Sequence, residues 1–414
     1  MTDTDAPASS AGAARRPLYV LFLLTALMSL GYGGIFTLLA DIRDRFGFSD
    51  ADVGLIAFAG FATGFTSQVV LARYADRGHT ALMLRAGVGI AAFGMFGMCF
   101  ATELWEWVGA RLLLGLGSGT AGPTVRRLVI TRDPERVGAN LGTQTAFDVS
   151  GFVIGPILAA VLAEVIGLRA PFAVLAAVYA VTLVILLRLN LQTEATPTVR
   201  RAVRSLLVRP AVQSALCAAI AFYLTLGMFE ALWSVLLRDL GAETWLTGLT
   251  LSLFTIPMII FAPRGGALAQ RKGPIRVVSV SILVAAGCMV VYGIGPLWVL
   301  IVASGVHAIA DAYTLPGNQV AVAIASPSDQ LATGQGLLGA TGLAVAGLAA
   351  LFGSAVYESF GRTTVFSATA GLMVLFLLAA RWRWTVSLRP SDEAPAPPSP
   401  GDSPLPAPEP GPAA

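Results

Sequence analysis

The sequence predicts an all-α membrane protein with twelve transmembrane helices in two six-helix halves. Its composition is 56% hydrophobic and only 12% charged, which is far from that of a soluble domain. Apolar runs of about 20 residues, the length that an α-helix needs to cross a bilayer, recur along the chain. A short charged loop also occurs twice, once in each half. The even number of crossings places both termini on one side.

Twelve apolar runs define the predicted elements, and a polar stretch after the sixth divides them. The predicted spans are 17–40, 51–72, 80–101, 104–128, 138–163, 168–189, 211–237, 245–269, 275–294, 297–323, 333–356 and 363–384. The predicted organisation is a cytoplasmic tail (1–16), a first half (17–189), a cytoplasmic linker (190–210), a second half (211–384) and a Pro-rich cytoplasmic tail (385–414). Few apolar residues occur in that last tail, so we expect it to be disordered.

The basic residues predict the orientation, because lysine and arginine near helix ends favour the cytoplasmic side. With both termini in the cytoplasm, only five of the 27 basic residues lie on the opposite side: Arg43, Arg45, Arg169, Arg238 and Arg362. The small excess of positive charge is therefore a sign of topology and does not indicate nucleic-acid binding. We expect a multi-pass protein of the cell membrane.

The repeated loop is LARYADRGHT after the second span and GALAQRKGP after the eighth. Aligning Asp76 with Gln270 also pairs Arg77 with Arg271. This loop resembles the G-x-L-x-D-R-x-G-R-R signature of the major facilitator superfamily, although Ala72 replaces its first glycine and Gln270 replaces the acid of the second copy. The resemblance covers nearly the whole chain between its tails and implies the major facilitator fold.

Two further spans carry patterns of the same superfamily. Arg111 and the glycines that follow it in the fourth span resemble an R-x-x-x-G-x-G motif, and the fifth span resembles the signature of the proton-coupled exporters. Gly151, Gly155 and Ala159 recur every four residues, which leaves one side of the helix free of bulky groups for a close helix contact. Pro156 removes a backbone hydrogen bond and predicts a bend. Ordinary helix packing is the alternative interpretation of this spacing.

Three carboxylates lie well inside predicted spans, where an acid costs at least ~2.5 kcal/mol and is usually functional. They are Asp311, Glu230 and Asp148, and we rank them in that order as proton-coupling residues. Asp311 ranks first because His307 lies one helical turn away on the same face. The alternative for each acid is a structural pair or a helix-end carboxylate that reaches water.

In this superfamily the first, fourth, seventh and tenth helices line the central path between the halves, and polar stripes occur on all four here. The stripes contain Thr25, Ser29, Tyr32, Arg111, Ser118, Tyr223, Glu230, Ser234, His307, Asp311, Thr314 and Asn318. Aromatic residues near them, including Trp233 and Tyr313, favour an amphipathic or aromatic substrate. We expect Asp76 to control the cytoplasmic side through Arg126, Arg127 or Arg132, unless it belongs to a simple solvated loop.

The resemblance implies a secondary active transporter, most simply a proton-coupled multidrug-type antiporter that works by alternating access. A proton-coupled uptake symporter is the alternative. A non-transporting sensor is a further alternative. A membrane enzyme is disfavoured, because the sequence contains no H-x4-D box, metal cluster or G-x-S-x-G motif. The expected partners are a small-molecule substrate, protons and the lipid bilayer. We expect no cofactor, metal or nucleic acid, and a monomer.

Overall fold

The computed structural model describes residues 8–189, 191 and 203–388. Parts of the predicted tails (1–16 and 385–414) and of the predicted linker (190–210) lie outside these residues. The domain boundaries of the sequence analysis therefore stay predictions. Within the described ranges almost every residue is helical, and no β-strand occurs among them.

The described residues form eleven long helices, and each predicted span coincides with a helix or part of one. They are α1 (Ala8–Phe46), α2 (Asp50–Val70), α3 (Thr80–Phe100), α4 (Leu104–Arg132), α5 (Val137–Val165), α6 (Ala170–Arg188), α7 (Pro210–Asp239), α8 (Thr244–Lys272), α9 (Pro274–Ile294), α10 (Leu297–Ala325) and α11 (Leu331–Ser387).

Helix α11 bends at one residue and so accounts for the last two predicted spans. Gly361 has φ 77° and ψ 174°, a conformation that a residue with a Cβ rarely adopts. This kink divides the segment into two helices, residues 331–360 and 362–387. A glycine in the short polar stretch 357–364 thus allows the bend between the two spans.

Eight helical segments of the described residues are long and apolar enough to cross a membrane. Two of them, Ala51–Phe100 and Ser328–Ser387, contain 50 and 60 residues and are long enough for two crossings each. Helices α4 and α8 are not among the eight, although they are as long as their neighbours. The chain therefore has the helices of the predicted fold, and the crossings of α4 and α8 stay a prediction.

The helices pack into two halves, each with a core of its own, and a third cluster of buried residues joins the halves, with Leu18 on one side and Val320 on the other. One core is built on Trp107, Phe172 and Tyr179 of the first half, and another on Trp233, Tyr292 and Phe366 of the second. We call the end of the bundle that carries the loop 71–79 and the turn between α8 and α9 the loop face. The N-termini of α5 and α11 lie at the same end.

Helix α5 contacts the other half near the loop face through glycines. A Cβ added to Gly138 would lie 2.1 Å from the carbonyl oxygen of Gly266, and one added to Gly142 would lie 2.1 Å from that of Ala262. Such distances leave no room for a side chain. The small residues of the sequence thus set how closely α5 and α8 approach, and they close the bundle at the loop face.

Candidate functional site

A cavity of about 180 Å³ lies between the halves, and all of its lining residues except Leu343 belong to the first half. Its apolar wall includes Leu24, Met28 and Val125. Its polar wall is formed by Thr25, Ser29, Tyr32, Gln68, Ser118, Arg126, Gln144 and Asp148. The stripes predicted on the first and fourth helices therefore reach the cavity through Thr25, Ser29, Tyr32 and Ser118.

Asp148 is the one acidic residue of this lining. Its carboxylate accepts a hydrogen bond from the Ser29 hydroxyl of α1 and lies within electrostatic range of the Arg126 guanidinium. One turn earlier on α5, Gln144 Nε2 donates to Thr25 Oγ1 at 3.2 Å. A carboxylate, a guanidinium group and neutral hydrogen-bonding groups thus lie together in one small cavity. Protonation of the carboxylate changes the net charge of that cavity.

Helix α5 is positioned beside α1 by the predicted strip of small residues. A Cβ on Gly151 would lie 2.0 Å from the Ala26 carbonyl oxygen, and one on Gly155 would lie 2.3 Å from that of Leu30. Pro156 lies in the same contact, because its Cδ would be 3.2 Å from a Cβ on Gly33. The prediction of a close helix contact is confirmed, and this contact holds Asp148 opposite Ser29.

Arg111 lies farther from the loop face on α4 and is fully buried, at 0% exposure. Its guanidinium carbon lies 4.4 Å from the ring centroid of Tyr32, which also lines the cavity. Gly60 of α2 is small enough to leave room for it, since a Cβ there would lie 2.7 Å from Arg111 Nε. A cation is thus held over an aromatic face inside the first half.

Two predicted residues of α7 lie on one face of that helix. Tyr223 is partly buried against Gly342 of α11 and is within electrostatic range of Arg126 and Asp148. Glu230 is two turns farther along and its side chain is exposed. Tyr223 therefore approaches the charged part of the cavity from the second half, and Glu230 follows it toward the end opposite the loop face.

Asp311 and His307 form a pair, as the sequence analysis expected, with His307 Nε2 at 3.6 Å from Asp311 Oδ2. The pair does not line the cavity. His307 Nδ1 lies 3.1 Å from the hydroxyl of Tyr292 on α9, and both members of the pair are at most 3% exposed. The polar stripe of α10 faces the interior of the second half. The period of a helix fixes which residues share a face, but it does not fix the direction in which that face points.

The other predicted residues of the tenth helix and Trp233 do not line this cavity either, so their place in the pathway stays a prediction. Asn318 is fully buried, and Thr314 donates to Ser281 of α9 at 2.7 Å. Trp233 is 1% exposed, stacks on Phe229 and donates from Nε1 to Thr250 Oγ1 at 3.0 Å. Thr314 and Trp233 thus form their hydrogen bonds within the second half, whereas the buried side-chain amide of Asn318 has no hydrogen-bond partner among the described residues.

The first copy of the repeated loop joins the halves at the loop face. Asp76 pairs with Arg127, one of its three predicted partners, at 3.1 Å from Nε to Oδ1. It also accepts hydrogen bonds of 2.8 Å from the amides of Ala332 and Thr333. These amides open α11, and a helix N-terminus attracts negative charge. Asp76 thus links α4 of one half to α11 of the other.

The second copy occupies the equivalent position with a neutral residue. Gln270 Oε1 accepts a hydrogen bond of 2.6 Å from the Gly138 amide at the start of α5, and its Nε2 donates to the Glu135 carbonyl at 3.0 Å. The two neighbouring arginines lie apart from these contacts. Arg77 lies 5.5 Å from the ring of Tyr74, and the side chain of Arg271 is exposed.

The sequence analysis did not place three of the polar residues that line the cavity. Arg126 was a candidate partner of Asp76 and instead faces the cavity, while Gln144 and Gln68 were not singled out. The spacing of Gln144 and Asp148, one turn apart, was a usable signal for a shared polar face. No comparable signal separates Arg126 from the adjacent Arg127, because only the rotation of α4 decides which of them enters the cavity.

Comparisons with known proteins agree with this architecture. The sequence profile of the Major Facilitator Superfamily matches residues 21–236 and again residues 215–410. The chain is 28% identical over 338 residues to the multidrug resistance protein MdtG of Serratia proteamaculans (strain 568), which covers 76% of the chain and 79% of that protein. It is 26% identical over 280 residues to MdtG of Proteus mirabilis (strain HI4320), covering 64% and 69%.

Solved structures share the fold at low identity. The transporter FucP in the outward conformation superposes with a TM-score of 0.75 at 15% identity, covering 89% of this chain and 98% of that one. The human organic anion transporter MFSD10 (TETRAN) superposes with a TM-score of 0.68 at 19% identity, covering 89% and 99%. Because the family profile matches both halves in turn, the chain belongs to the Major Facilitator Superfamily.

Proposed function

We propose that this protein is a proton-coupled exporter of a small amphipathic or aromatic compound, lies in the cell membrane as a monomer and has both termini in the cytoplasm. Its relatives are named multidrug resistance proteins, and its cavity combines apolar and polar walls. The loop face is then the cytoplasmic face, as the distribution of basic residues predicts.

The observation that carries this proposal is the position of Asp148 in the cavity between the halves. When ionised, its carboxylate accepts from Ser29 and attracts Arg126. A proton arriving from outside neutralises the acid and weakens both interactions. A substrate group that needs the carboxylate is then released, so that proton and substrate exclude one another, as antiport requires.

The residues that line the cavity support the proposed chemical class of the substrate. Leu24, Met28 and Leu343 offer an apolar wall, the ring of Tyr32 offers an aromatic surface, and Gln144 supplies an amide. A ligand with an apolar body and one or two polar groups fits such a mixture better than a fully hydrophilic one. Tyr223 and Glu230 would extend the pathway toward the outside as the halves separate there.

The contacts at the loop face would hold the protein closed to the cytoplasm. Asp76 and Gln270 each accept from the amides that open a helix of the opposite half, at Ala332 and Gly138. Rocking of the halves to the inward-open state must break both links and separate Gly142 from Ala262. Asp76, Arg77, Arg271, Gly151, Gly155 and Pro156 are then gating and coupling elements of this motion.

Transport in proteoliposomes with an imposed pH gradient tests the role of Asp148. A panel of toxic compounds, scored in an efflux-deficient host with and without the gene, first provides a transported compound. We expect Asp148→Asn to abolish transport driven by the gradient, while Asp311→Asn serves as a matched loss of a buried acid outside the cavity. A wild-type rate and pH dependence for Asp148→Asn would exclude it as the coupling residue.

The direction of transport separates the exporter from the uptake symporter. In everted membrane vesicles, an antiporter accumulates the compound when the lumen is made acidic, and dissipating the gradient releases it. A symporter instead accumulates it in right-side-out vesicles with acid outside. If a compound binds and neither preparation transports it, the protein is a sensor.

A further inference from the structure

A groove on the outer surface of the second half combines apolar walls with a basic end. It has a volume of about 590 Å³ and lies over α10, between α8 and α9. Its apolar lining includes Leu268, Val280, Val284, Val306 and Ile309, each of which is at least 38% exposed. This surface faces away from the cavity between the halves, so transport of the substrate does not account for it.

The basic end is formed by Lys272, the last residue of α8, and Arg276 in the first turn of α9. Both side chains are exposed, and neither forms a hydrogen bond or ion pair with another described residue. No acidic residue is present in the described lining. Two uncompensated cations therefore sit at the loop-face end of an apolar channel.

The dimensions of the groove suit a lipid chain below a headgroup. From Arg276 to Val284 the wall of α9 extends by about 12 Å, at a rise of ~1.5 Å per residue. Val306 and Ile309 of α10 continue the opposite wall, and the hydroxyl-bearing Tyr313 lies between them and the basic end. The polar groups are thus at the level of the loop face, and the apolar ones lie deeper in the bilayer.

A second surface groove shows that this charge is not a general property of such grooves. The groove of about 560 Å³ between α3 and α6 is lined by alanines, phenylalanines, a glycine and Cys99, without a charged residue. Both grooves can hold a lipid chain. Only the groove beside α9 offers a counter-charge for a phosphate.

We propose that the groove between α8 and α9 is a binding site for an anionic phospholipid of the loop-face leaflet. Its phosphate lies between Lys272 and Arg276, and one acyl chain lies along Val280, Val284 and Ile309. Clusters of basic residues at the ends of membrane helices attract anionic lipids, and each cation contributes ~1 kcal/mol. The site is distinct from the proposed transport site and does not depend on the direction of transport.

Native mass spectrometry of the full-length protein in detergent tests this site with equimolar phosphatidylglycerol and phosphatidylcholine of identical chains. We expect the wild type to retain phosphatidylglycerol in preference, and the Lys272→Gln/Arg276→Gln variant to lose about 30-fold in affinity for it. The control is Arg188→Gln/Arg381→Gln, which removes two exposed arginines outside the groove, one at the end of α6 and one in the last two turns of α11. It should retain the preference.

A steric variant and a soluble competitor identify the occupant. Val280→Trp fills the apolar channel without changing charge and should weaken binding of both lipids, while glycerol 1-phosphate should not displace phosphatidylglycerol. The proposal is overturned if the charge variant keeps the preference, if the control loses it equally, or if the soluble phosphate competes at the same concentration as the lipid. The last result would indicate a site for free anions.

Discussion

The carboxylate of Asp76 accepts hydrogen bonds from both the amide and the hydroxyl of Thr333, at 2.8 and 2.7 Å, across 257 positions of sequence. Arg127 holds the same carboxylate from the other side, and both charged side chains are 3% exposed. A charged loop residue that is buried in this way joins two halves that must separate during transport. The strength of this link therefore affects the equilibrium between the conformation closed at the loop face and the one open there.

Asp76→Asn should weaken this link. Hydrogen bonds to a charged group contribute ~1.5–3 kcal/mol each, and the amide keeps only part of them. We expect backbone amides at the start of α11, from Leu331 to Gln335, to exchange with deuterium at least about tenfold faster. Asp133→Asn is the control, because Asp133 accepts locally from Asn140 at 2.9 Å. Equal exchange in all three proteins would show that Asp76 does not hold α11.

Gly151→Ala and Gly155→Ala should each destabilise the protein by ~1–3 kcal/mol, because the added methyl group overlaps a carbonyl of α1. Gly109→Ala is the matched control, since nothing lies within 4 Å of its Cβ position. Alanine there should be neutral or stabilise α4 by up to ~1 kcal/mol. Thermal unfolding in detergent measures the difference.

Larger residues in the same strip should impair coupling as well. We expect Gly151→Leu and Gly155→Leu to disrupt transport or folding and Pro156→Ala to be milder, because Pro156 contacts α1 less closely. Transport by the purified variants in proteoliposomes checks this order. Normal activity with leucine at both glycines would contradict the proposed role of the α1–α5 contact.

Arg111→Ala should impair transport without preventing membrane insertion, and Arg111→Lys should rescue it poorly. The guanidinium carbon lies over the Tyr32 ring, 4.4 Å from its centroid, and lysine lacks this planar group. Tyr32→Phe keeps the ring and should retain most activity, whereas Tyr32→Leu should lose ~0.5–2 kcal/mol of stability. Full activity of both Arg111 variants would place the arginine outside the transport mechanism.

His307→Leu should destabilise the second half by ~1–3 kcal/mol, because it leaves the buried Asp311 carboxyl without its partner. The double replacement His307→Leu/Asp311→Leu should recover much of the lost stability, since the core accommodates two apolar side chains better than a buried acid without a partner. Thermal unfolding of the two variants and the wild type measures these differences in stability.

If Asp311→Asn folds normally and loses its response to a pH gradient, the sequence-based ranking of Asp311 was right.

Most of the architecture follows from local features of the sequence. The apolar runs specify the helices, a glycine at position 361 specifies the bend in α11, and the small residues at 151 and 155 specify the close contact with α1. The repeated loop specifies where the halves meet, and Arg127 was among the predicted partners of Asp76. These features depend on neighbours in sequence or on side-chain size, both of which a single chain displays.

The identity of the cavity residues depends on how each helix is rotated, which only the tertiary packing decides. Helical spacing correctly groups His307 with Asp311, yet α10 turns that face toward Tyr292 of α9. Packing of Gly151 and Gly155 on α1 turns Asp148 to Ser29 and into the cavity. The sequence determined which residues share a face; contacts between distant helices determined which face meets water, because helical periodicity carries no reference direction.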